Sequence, residues 1–344
     1  MRKFFFFLML IASVSYGQIP AGYYDSAEGL TGTALKSALH EIINDHDAQT
    51  YDYLHVAFET TDVKSNGKVW DMYSDIPGGT PPYEYSFTSS DQCGSYGGEG
   101  DCYNREHSWP KSWFGGEVSP MYSDLFHLVP TDGYVNGMRS NYPFGEVGSA
   151  DWTSENGSKL GNCNFPGYSG TVFEPIDDFK GDFARNYLYM TVRYLGEDSG
   201  WPGSEMTDGA QLKTWGLNLM KKWDYEDPVS QKEIDRNNAI YDIQNNRNPF
   251  IDHPEYVGEI YGYYIGIENP VDQINCDVYS AEGKIIINNV SEKEISVWVF
   301  DCMGRAVAMK ELSSSERTEI FSEKGIFLVR LGFDGVFSTC KVVV

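Results

Sequence analysis

A short polar segment, residues 103–113, constrains this chain more than any other part of it. It places Glu106 beside His107, so an oxygen ligand stands next to a group that can accept a proton near neutral pH. The next polar segment adds the amide of Asn136 and the guanidinium of Arg139. A carboxylate, an imidazole, an amide and a guanidinium together suit metal-assisted cleavage of a phosphodiester.

The local structure of this segment follows from strand geometry. Neighbouring residues on a regular strand point to opposite faces, so Glu106 and His107 can share a site only where a strand ends or bends. Trp109-Pro110 follows at once, and because proline disrupts strand pairing we expect the strand to end there. Asn136 lies in the opening turns of a helix predicted to begin after Pro130, which would aim its short side chain at the hairpin.

Several longer segments have the residues and the order of a known family: Asn104–Pro110, Asp124–Pro130 and residues 173–185, 233–237 and 244–254. Together they resemble the endonuclease I family of secreted, non-specific nucleases, over about residues 25–265. The resemblance implies an α+β nuclease domain that contains a His-metal finger, which is a β-hairpin followed by a helix. Asp124 and His127 match the family too, and we expect them to have supporting or structural roles in preference to direct metal ligation.

The resemblance also implies a role for each polar residue of the motif. His107 is expected to deprotonate the attacking water, and Glu106 and Asn136 are expected to hold a metal ion. Two protein oxygens and several waters suit Mg²⁺, with Mn²⁺ or Ca²⁺ as alternatives. Arg139 lies three residues after Asn136, on an adjoining helix face, and is expected to hold the phosphate.

The start of the chain has the features of an export signal. Met1-Arg2-Lys3 is basic, an apolar run covers Phe4–Ala12, and small residues follow up to Gly17. The apolar run is too short to span a bilayer, and no later segment is long and apolar enough. We therefore expect a signal peptide over residues 1–17, no stable membrane span, and a secreted or cell-surface protein.

The formal net charge of −24 argues against a protein that simply coats nucleic acid, because such proteins depend on a broad basic face. It does not exclude a nuclease, since a local cluster of cations can hold a phosphate while the rest of the surface repels it. Each basic residue alone is more simply explained as a solvated surface charge. The candidates for a cluster are Arg105, Lys111, Arg139, Lys180, Arg185, Arg236 and Arg247.

The chain has six cysteines, which in an exported protein permit disulfides. Cys93 and Cys102 flank a glycine-rich loop just before residues 103–113 and are a candidate disulfide. The sequence leaves the pairing of the others open: Cys163, Cys276, Cys302 and Cys340. No CxxC pair is present, which argues against a structural zinc site.

Hydrophobic periodicity predicts helices over residues 31–46, 180–196 and 208–223. Ser230 followed by Glu233 is a capping-box pattern that opens another helix through about Asn245. His253-Pro254 is predicted to open a last short helix. Val69–Tyr73 is predicted to be a short strand, followed by a long loop rich in Gly, Pro, Ser and Tyr.

The character of the chain changes after Gly266, where short β-prone runs alternate with turn residues. These runs are Lys284–Ile287, Ile295–Phe300, Ala306–Met309, Gly325–Leu331 and Lys341–Val344. We predict a nuclease domain over 18–268 and a small all-β sandwich over 269–344, with Asn269-Pro270 at the boundary.

Parts of this second region resemble another known family. Residues 299–305, 325–330 and 341–344 are similar to the C-terminal sorting domain of type IX secretion substrates, which implies contact with a secretion machinery. The alternative is an accessory β-domain that binds polysaccharide or substrate.

The sequence therefore predicts a secreted, monomeric, divalent-metal-dependent endonuclease of low sequence specificity. Its expected substrate is DNA, with RNA left open as a second substrate. The alternative from another class is an extracellular binding or adhesion protein that keeps the nuclease fold without catalysis. The intact Glu106-His107 pair and Asn136 argue against that alternative.

Overall fold

The computed structural model describes residues 19–264, 274, 276–281, 283–291, 293–321, 324–333 and 336–344. The chain divides into two compact units, Met1–Tyr264 and Ile265–Val344. The predicted signal peptide over residues 1–17 and the predicted boundary at Asn269-Pro270 lie outside the described residues.

The first unit is mixed α/β. Its α-helices are α1 Gly32–Ile43, α2 Leu54–Thr61, α3 Gly133–Arg139, α4 Lys180–Arg193, α5 Thr214–Glu226, α6 Gln231–Gln244, α7 Pro249–Asp252 and α8 Glu255–Tyr261. Its strands are β1 Tyr103–His107, β2 Leu128–Asp132, β3 Val147–Thr153, β4 Lys159–Cys163, β5 Thr171–Glu174, β6 Thr207–Asp208 and β7 Gln211–Leu212. Strands β1 and β2 pair antiparallel, β3-β4-β5 form an antiparallel sheet in that order, and β6 and β7 form a short hairpin.

Helix α4 lies at the centre of this unit, since all of its residues are buried. It packs against α1, α5 and α7. The face that α1 buries carries Leu35, Leu39 and Ile43 at helical spacing, and burial of each such side chain stabilises the fold by roughly 1.5–3 kcal/mol. Tyr103 of β1 and Leu128 of β2 belong to the same apolar cluster, so the hairpin packs on this core.

The hairpin and α3 form one continuous structural element. Glu106 pairs with Val129 and His107 with Leu128 in the β1-β2 register. Asp132 ends β2 and caps α3, because its Oδ1 accepts a hydrogen bond of 2.8 Å from the Val135 amide. The helix thus begins directly at the end of the strand, with no loop between them.

Most of the predicted helices are present, with adjusted ends. The capping box is confirmed: Ser230 and Glu233 exchange hydrogen bonds at the start of α6, and Asn245 ends the helix in the left-handed conformation. The prediction over 208–223 began too early, because residues 207–212 pair with each other as β6 and β7.

The predicted strand over Val69–Tyr73 is wrong. Val69 makes only an isolated bridge to Val63, and a turn follows at residues 72–74. The Asp71 side chain accepts a hydrogen bond of 2.7 Å from the Tyr73 amide. Such a side-chain bond offers the backbone an alternative to strand pairing, which explains the turn.

The described part of the second unit is all-β. Its strands are β8 Cys276–Ala281, β9 Lys284–Asn289, β10 Ile295–Asp301, β11 Ala306–Leu312, β12 Arg317–Phe321, β13 Ile326–Phe333 and β14 Val336–Val343. They form a four-stranded sheet in the order β11-β10-β13-β14 and a three-stranded sheet in the order β12-β9-β8. One apolar cluster draws on both sheets, with Ile285 and Ile287 from β9 and Val297 and Val299 from β10.

All five predicted β-prone runs fall largely within these strands. Sequence reasoning missed β8 and β12, because both are too polar to stand out as alternating runs. Among the described residues, no helix combines the length and apolar character needed to cross a bilayer.

Candidate active site

The end of β1 and the start of α3 border a cavity of about 400 Å³. Glu106 and His107 from the strand and Asn136 from the helix all line it. The structure therefore brings together three of the four residues selected from the sequence. The other residues around the cavity are Tyr51, Asn104, Arg105, Pro110, Lys111, Ser112, Ser140 and Asn141.

The strand geometry explains how adjacent residues reach one cavity. Strand β1 ends at His107, and residues 108 and 109 are bends that lead into Pro110. Glu106 and His107 are 3% and 8% exposed, so both side chains are held by the protein and reach solvent only through the cavity.

The ring of His107 is fixed by one hydrogen bond. Its Nε2 lies 3.1 Å from the backbone carbonyl oxygen of Tyr122. Because a carbonyl oxygen can only accept, Nε2 carries the proton and donates it, which leaves Nδ1 as an unprotonated acceptor. The ring also stacks on the Tyr122 ring at 5.3 Å between centroids.

The environment of His107 favours its neutral form. Burial lowers the pKa of His107 well below its usual value of 6.5, and the nearby His127 lowers it further. The imidazole is therefore uncharged at neutral pH, which is the form that can accept a proton.

Glu106 is held through one of its two oxygens. Oε1 accepts hydrogen bonds of 2.5 Å from Arg139 Nη1 and 3.0 Å from the Tyr73 hydroxyl. Oε2 has no hydrogen bond to any described residue, so it is available to a ligand. Burial raises the pKa of the carboxyl group, and the charge of Arg139 opposes that rise.

Asn136 completes the oxygen donors of the cavity. It lies on the second turn of α3 and is half-buried, and its side-chain amide makes no hydrogen bond with the described residues. No group of three or more His, Cys, Asp or Glu side chains gathers as a metal site in the described residues. Glu106 Oε2 and the Asn136 amide oxygen are thus the side-chain oxygens of the cavity that could hold a metal ion, together with water, and Mg²⁺ prefers oxygen ligands of this kind.

Arg139 does not lie where a phosphate-holding residue is expected. Its side chain is fully buried and absent from the cavity lining. Besides Glu106, it donates hydrogen bonds of 2.9 Å and 2.7 Å to the backbone carbonyls of His107 and Ser108. The face of α3 that carries Arg139 is buried in the core. From there the guanidinium holds the end of β1 on the side away from the cavity.

The cationic residues at the cavity are Arg105 and Lys111. The Arg105 guanidinium lies 3.8 Å from the Tyr51 ring centroid and donates a 2.8 Å hydrogen bond to the Tyr51 carbonyl. Lys111 is about half exposed, with Glu117 at 3.3 Å. The remaining candidate cations are buried in ion pairs: Lys180 with Glu174, Arg185 with Glu233, Arg236 with Asp62 and Arg247 with Asp252.

Asp124 and His127 lie in the core and do not line the cavity. Asp124 Oδ2 accepts hydrogen bonds of 2.9 Å and 2.8 Å from the Tyr189 and Tyr194 hydroxyls. Burial alone would raise the pKa of Asp124, but the neighbouring histidines His46 and His127 lower it to about 2. His127 Nε2 lies 2.7 Å from the Met121 carbonyl oxygen. Their positions fit the supporting roles expected for them.

The disulfide between Cys93 and Cys102 is present. It lies against the start of α3, where a Cβ on Gly133 would come within 2.3 Å of Cys93 Sγ. The Gly133 amide also donates a 2.9 Å hydrogen bond to the Cys102 carbonyl. Glycine is therefore required at this position, and the disulfide supports the helix that carries Asn136.

Sequence reasoning missed Tyr51 and Tyr73. Tyr51 stacks on Tyr122 at 4.3 Å, and Tyr73 binds Glu106. Both lie outside the motif segments that pointed to the site, so only the fold could reveal their place beside it.

Comparison with known proteins now decides the family. The model of the family "Endonuclease I" matches residues 31–255. The chain belongs to the endonuclease I family. It is 40% identical over 248 residues to an extracellular ribonuclease of Bacillus amyloliquefaciens, covering 70% of this chain and 78% of that protein. It is 25% identical over 237 residues to an extracellular deoxyribonuclease of Aeromonas hydrophila, covering 64% of this chain and 88% of that protein.

The relatives also bear on location. One more, 31% identical over 138 residues, is a periplasmic deoxyribonuclease of Aeromonas hydrophila, and it covers 40% of this chain and 50% of that protein. These three relatives are thus named extracellular or periplasmic. This endonuclease I family member is a secreted or cell-surface protein.

Proposed function

We propose that this protein is a divalent-metal-dependent endonuclease of low sequence specificity that hydrolyses phosphodiester bonds in DNA and RNA. The relatives named ribonuclease and deoxyribonuclease support both substrates. The order β1, β2, α3 supports a His-metal finger, because this element is a hairpin followed by a helix. We also expect the protein to act as a monomer.

The state of His107 is the observation that carries the proposal. Its Nε2 is engaged with the Tyr122 carbonyl, which leaves Nδ1 as the acceptor, and His107 lines the same cavity as Glu106 and Asn136. A neutral imidazole in a fixed orientation can take a proton from a water molecule placed at the phosphorus. General-base catalysis of this kind contributes about 10²–10⁴-fold to the rate.

The unpaired oxygens of Glu106 and Asn136 would hold the metal ion. When bound, such an ion relieves the charge on the phosphoryl oxygens and stabilises the leaving oxygen. Arg139 and Tyr73 contribute by holding Glu106 Oε1, which leaves Oε2 without a hydrogen-bond partner among the described residues. Arg139 is thus a positioning residue.

Arg105 and Lys111 are the residues proposed to hold the substrate phosphates. Both line the cavity, and the Arg105 guanidinium is already held in place over the Tyr51 ring. A preorganised cation loses little freedom when it binds an anion, which favours binding of the backbone without regard to sequence.

The test is cleavage of plasmid DNA and of a structureless RNA by the full chain, with and without EDTA. We expect His107→Ala to lose at least about 10²-fold in rate while substrate binding remains. His253→Ala is the matched control, because this histidine is partly exposed and does not line the cavity. Cleavage that continues in EDTA would contradict metal dependence, and binding without cleavage by the wild type would favour the adhesion alternative.

We further propose that the second unit directs secretion through a type IX machinery. Its all-β architecture is compatible with a sorting domain. Truncation after residue 268 should leave cleavage unchanged and abolish release or surface display in the native host. Normal secretion of the truncated form would overturn this assignment, and a large loss of cleavage would favour a substrate-binding domain.

A further inference from the structure

The described residues contain four cysteines outside the Cys93–Cys102 disulfide. Cys163 lies buried in the first unit, whereas Cys276, Cys302 and Cys340 lie in the second. Secreted proteins meet oxidising conditions, so cysteines that lie close together in them tend to become paired. The three cysteines of the second unit are therefore candidates for a further disulfide.

Cys276 and Cys340 lie on edge strands of different sheets. Strand β8, which begins at Cys276, is at one edge of the three-stranded sheet, and β14, which contains Cys340, is at one edge of the four-stranded sheet. These two edge strands contact each other. The cysteines are thus on neighbouring elements although they are far apart along the chain.

Both side chains face the core that the two sheets share. Side chains alternate between the faces of a strand, so Cys340 lies on the same face as the buried Val342. The residue paired with Cys340 on the neighbouring strand β13 is Val329, which is completely buried. On β8, Cys276 and Val278 are partly buried while Asp277 is exposed. Cys276 and Cys340 both pack against the same apolar cluster.

The electrostatics of the two thiols agree with this proximity. Burial raises the pKa of Cys276 to about 11, and the nearby Cys340 is the next largest cause. Burial also raises the pKa of Cys340. The effect of Cys340 on Cys276 is electrostatic and falls off with distance, so it agrees with the placement of the two thiols on neighbouring strands.

We propose that Cys276 and Cys340 form a disulfide that joins the edges of the two sheets in the exported protein. In the reaction, the two thiols lose two protons and two electrons as the S–S bond forms. A disulfide oxidant, such as oxidised glutathione, accepts them as its own S–S bond breaks to give two thiols. Because both thiol pKa values are raised, formation is slow at neutral pH and faster at higher pH.

The bond would connect the first and last strands of the described second unit. It would close the chain between residues 276 and 340, which removes conformational freedom from the unfolded state. Cys302 is not a candidate partner, since it lies exposed in the turn between β10 and β11.

The first experiment is mass spectrometry of a tryptic digest of the full chain, without reduction, before and after treatment with oxidised glutathione. Cleavage after Lys and Arg places Cys276 on peptide 248–284, Cys302 on 294–305 and Cys340 on 331–341, so each pairing gives a different mass. We expect a linked 248–284 and 331–341 species. Alkylation of both thiols in the oxidised protein, or linkage of either peptide to 294–305, would overturn the proposal.

The second experiment compares thermal unfolding with and without dithiothreitol in three variants. In the wild type, reduction should lower the midpoint of the affected transition by about 10 °C. Cys276→Ser and Cys340→Ser should each lower this midpoint already without reductant. The change that dithiothreitol then causes in these variants should come only from reduction of the Cys93–Cys102 disulfide. Cys302→Ser is the matched control and should behave as the wild type. Equal responses to reductant in all three variants and the wild type would contradict the proposal.

Discussion

His107 and His127 are two histidines of the same hairpin with different surroundings. Their ring centroids are 5.6 Å apart, and each has its Nε2 near a backbone carbonyl, that of Tyr122 or of Met121. His107 lines the cavity, whereas His127 is fully buried with an Nδ1 that has no partner among the described residues. The ring chemistry is the same, so in the proposed mechanism the position at the cavity is what makes His107 the base and leaves His127 a structural role.

The same contrast separates the two carboxylates of this region. Glu106 keeps one oxygen without a hydrogen-bond partner at the cavity, whereas Asp124 is enclosed by hydroxyl and amide donors in the core. Glu106 at the cavity therefore keeps an acceptor oxygen that no described residue uses, whereas both carboxylate oxygens of Asp124 accept hydrogen bonds in the core.

The largest effect is expected for the oxygen donors on the cavity side. Glu106→Ala or Asn136→Ala should raise the Mg²⁺ concentration for half-maximal cleavage by about 100-fold. Mutating a residue that only hydrogen-bonds to a metal ligand already lowers metal affinity by about 10–100-fold, and loss of the ligand itself should have at least that effect. Titration of cleavage rate with Mg²⁺ measures this shift. Asp124→Asn is the comparison from the core side and should lower stability without moving the midpoint. An unchanged midpoint in the Glu106 and Asn136 variants would show that neither residue is a ligand.

Arg139→Met tests whether this buried residue holds Glu106 in place or binds the substrate phosphate. It leaves Glu106 buried without its ion partner, which should lower the free energy of unfolding by about 3–5 kcal/mol. Urea denaturation measures the loss. If Arg139 held the substrate phosphate instead, the variant would keep its stability and show a raised KM.

The pH dependence sharpens the contrast for His107. Since burial lowers its pKa, the base form persists as pH falls below 6.5, and kcat/KM should stay flat to well below that value before it drops about tenfold per pH unit. Stability should fall as the pH drops from 6.5 towards the lower pKa of the folded state, because over this range the unfolded protein binds a proton at His107 that the folded protein does not. If kcat/KM, measured at saturating metal, instead fell with a midpoint near pH 6.5, the base could not be the buried His107 ring.

The smallest effect is expected at the rim of the cavity. Arg105→Ala or Lys111→Ala should raise KM by about three- to tenfold with little change in kcat, since each removes one contact to phosphate. Steady-state kinetics at two salt concentrations measures it. Arg305→Ala, an exposed residue of the second unit, is the control and should have no effect.

The sequence predicted features that depend on local chemistry. Trp109-Pro110 correctly marked the end of β1, and Ser230 with Glu233 correctly marked the start of α6. Local patterns failed where tertiary contacts decide the structure. The Asp71 side chain turned a predicted strand into a turn, and the helix face of Arg139 proved to be buried.

The most direct test of the central claim is chemical rescue of His107→Ala by imidazole. The cavity of about 400 Å³ opens at this side chain, so a free imidazole can occupy the space that the substitution vacates. We predict that the variant is nearly inactive alone, and that added imidazole raises its cleavage rate at least tenfold, with no effect on the wild type or on Glu106→Ala. If His107→Ala cleaved within tenfold of the wild-type rate without imidazole, His107 could not be the base.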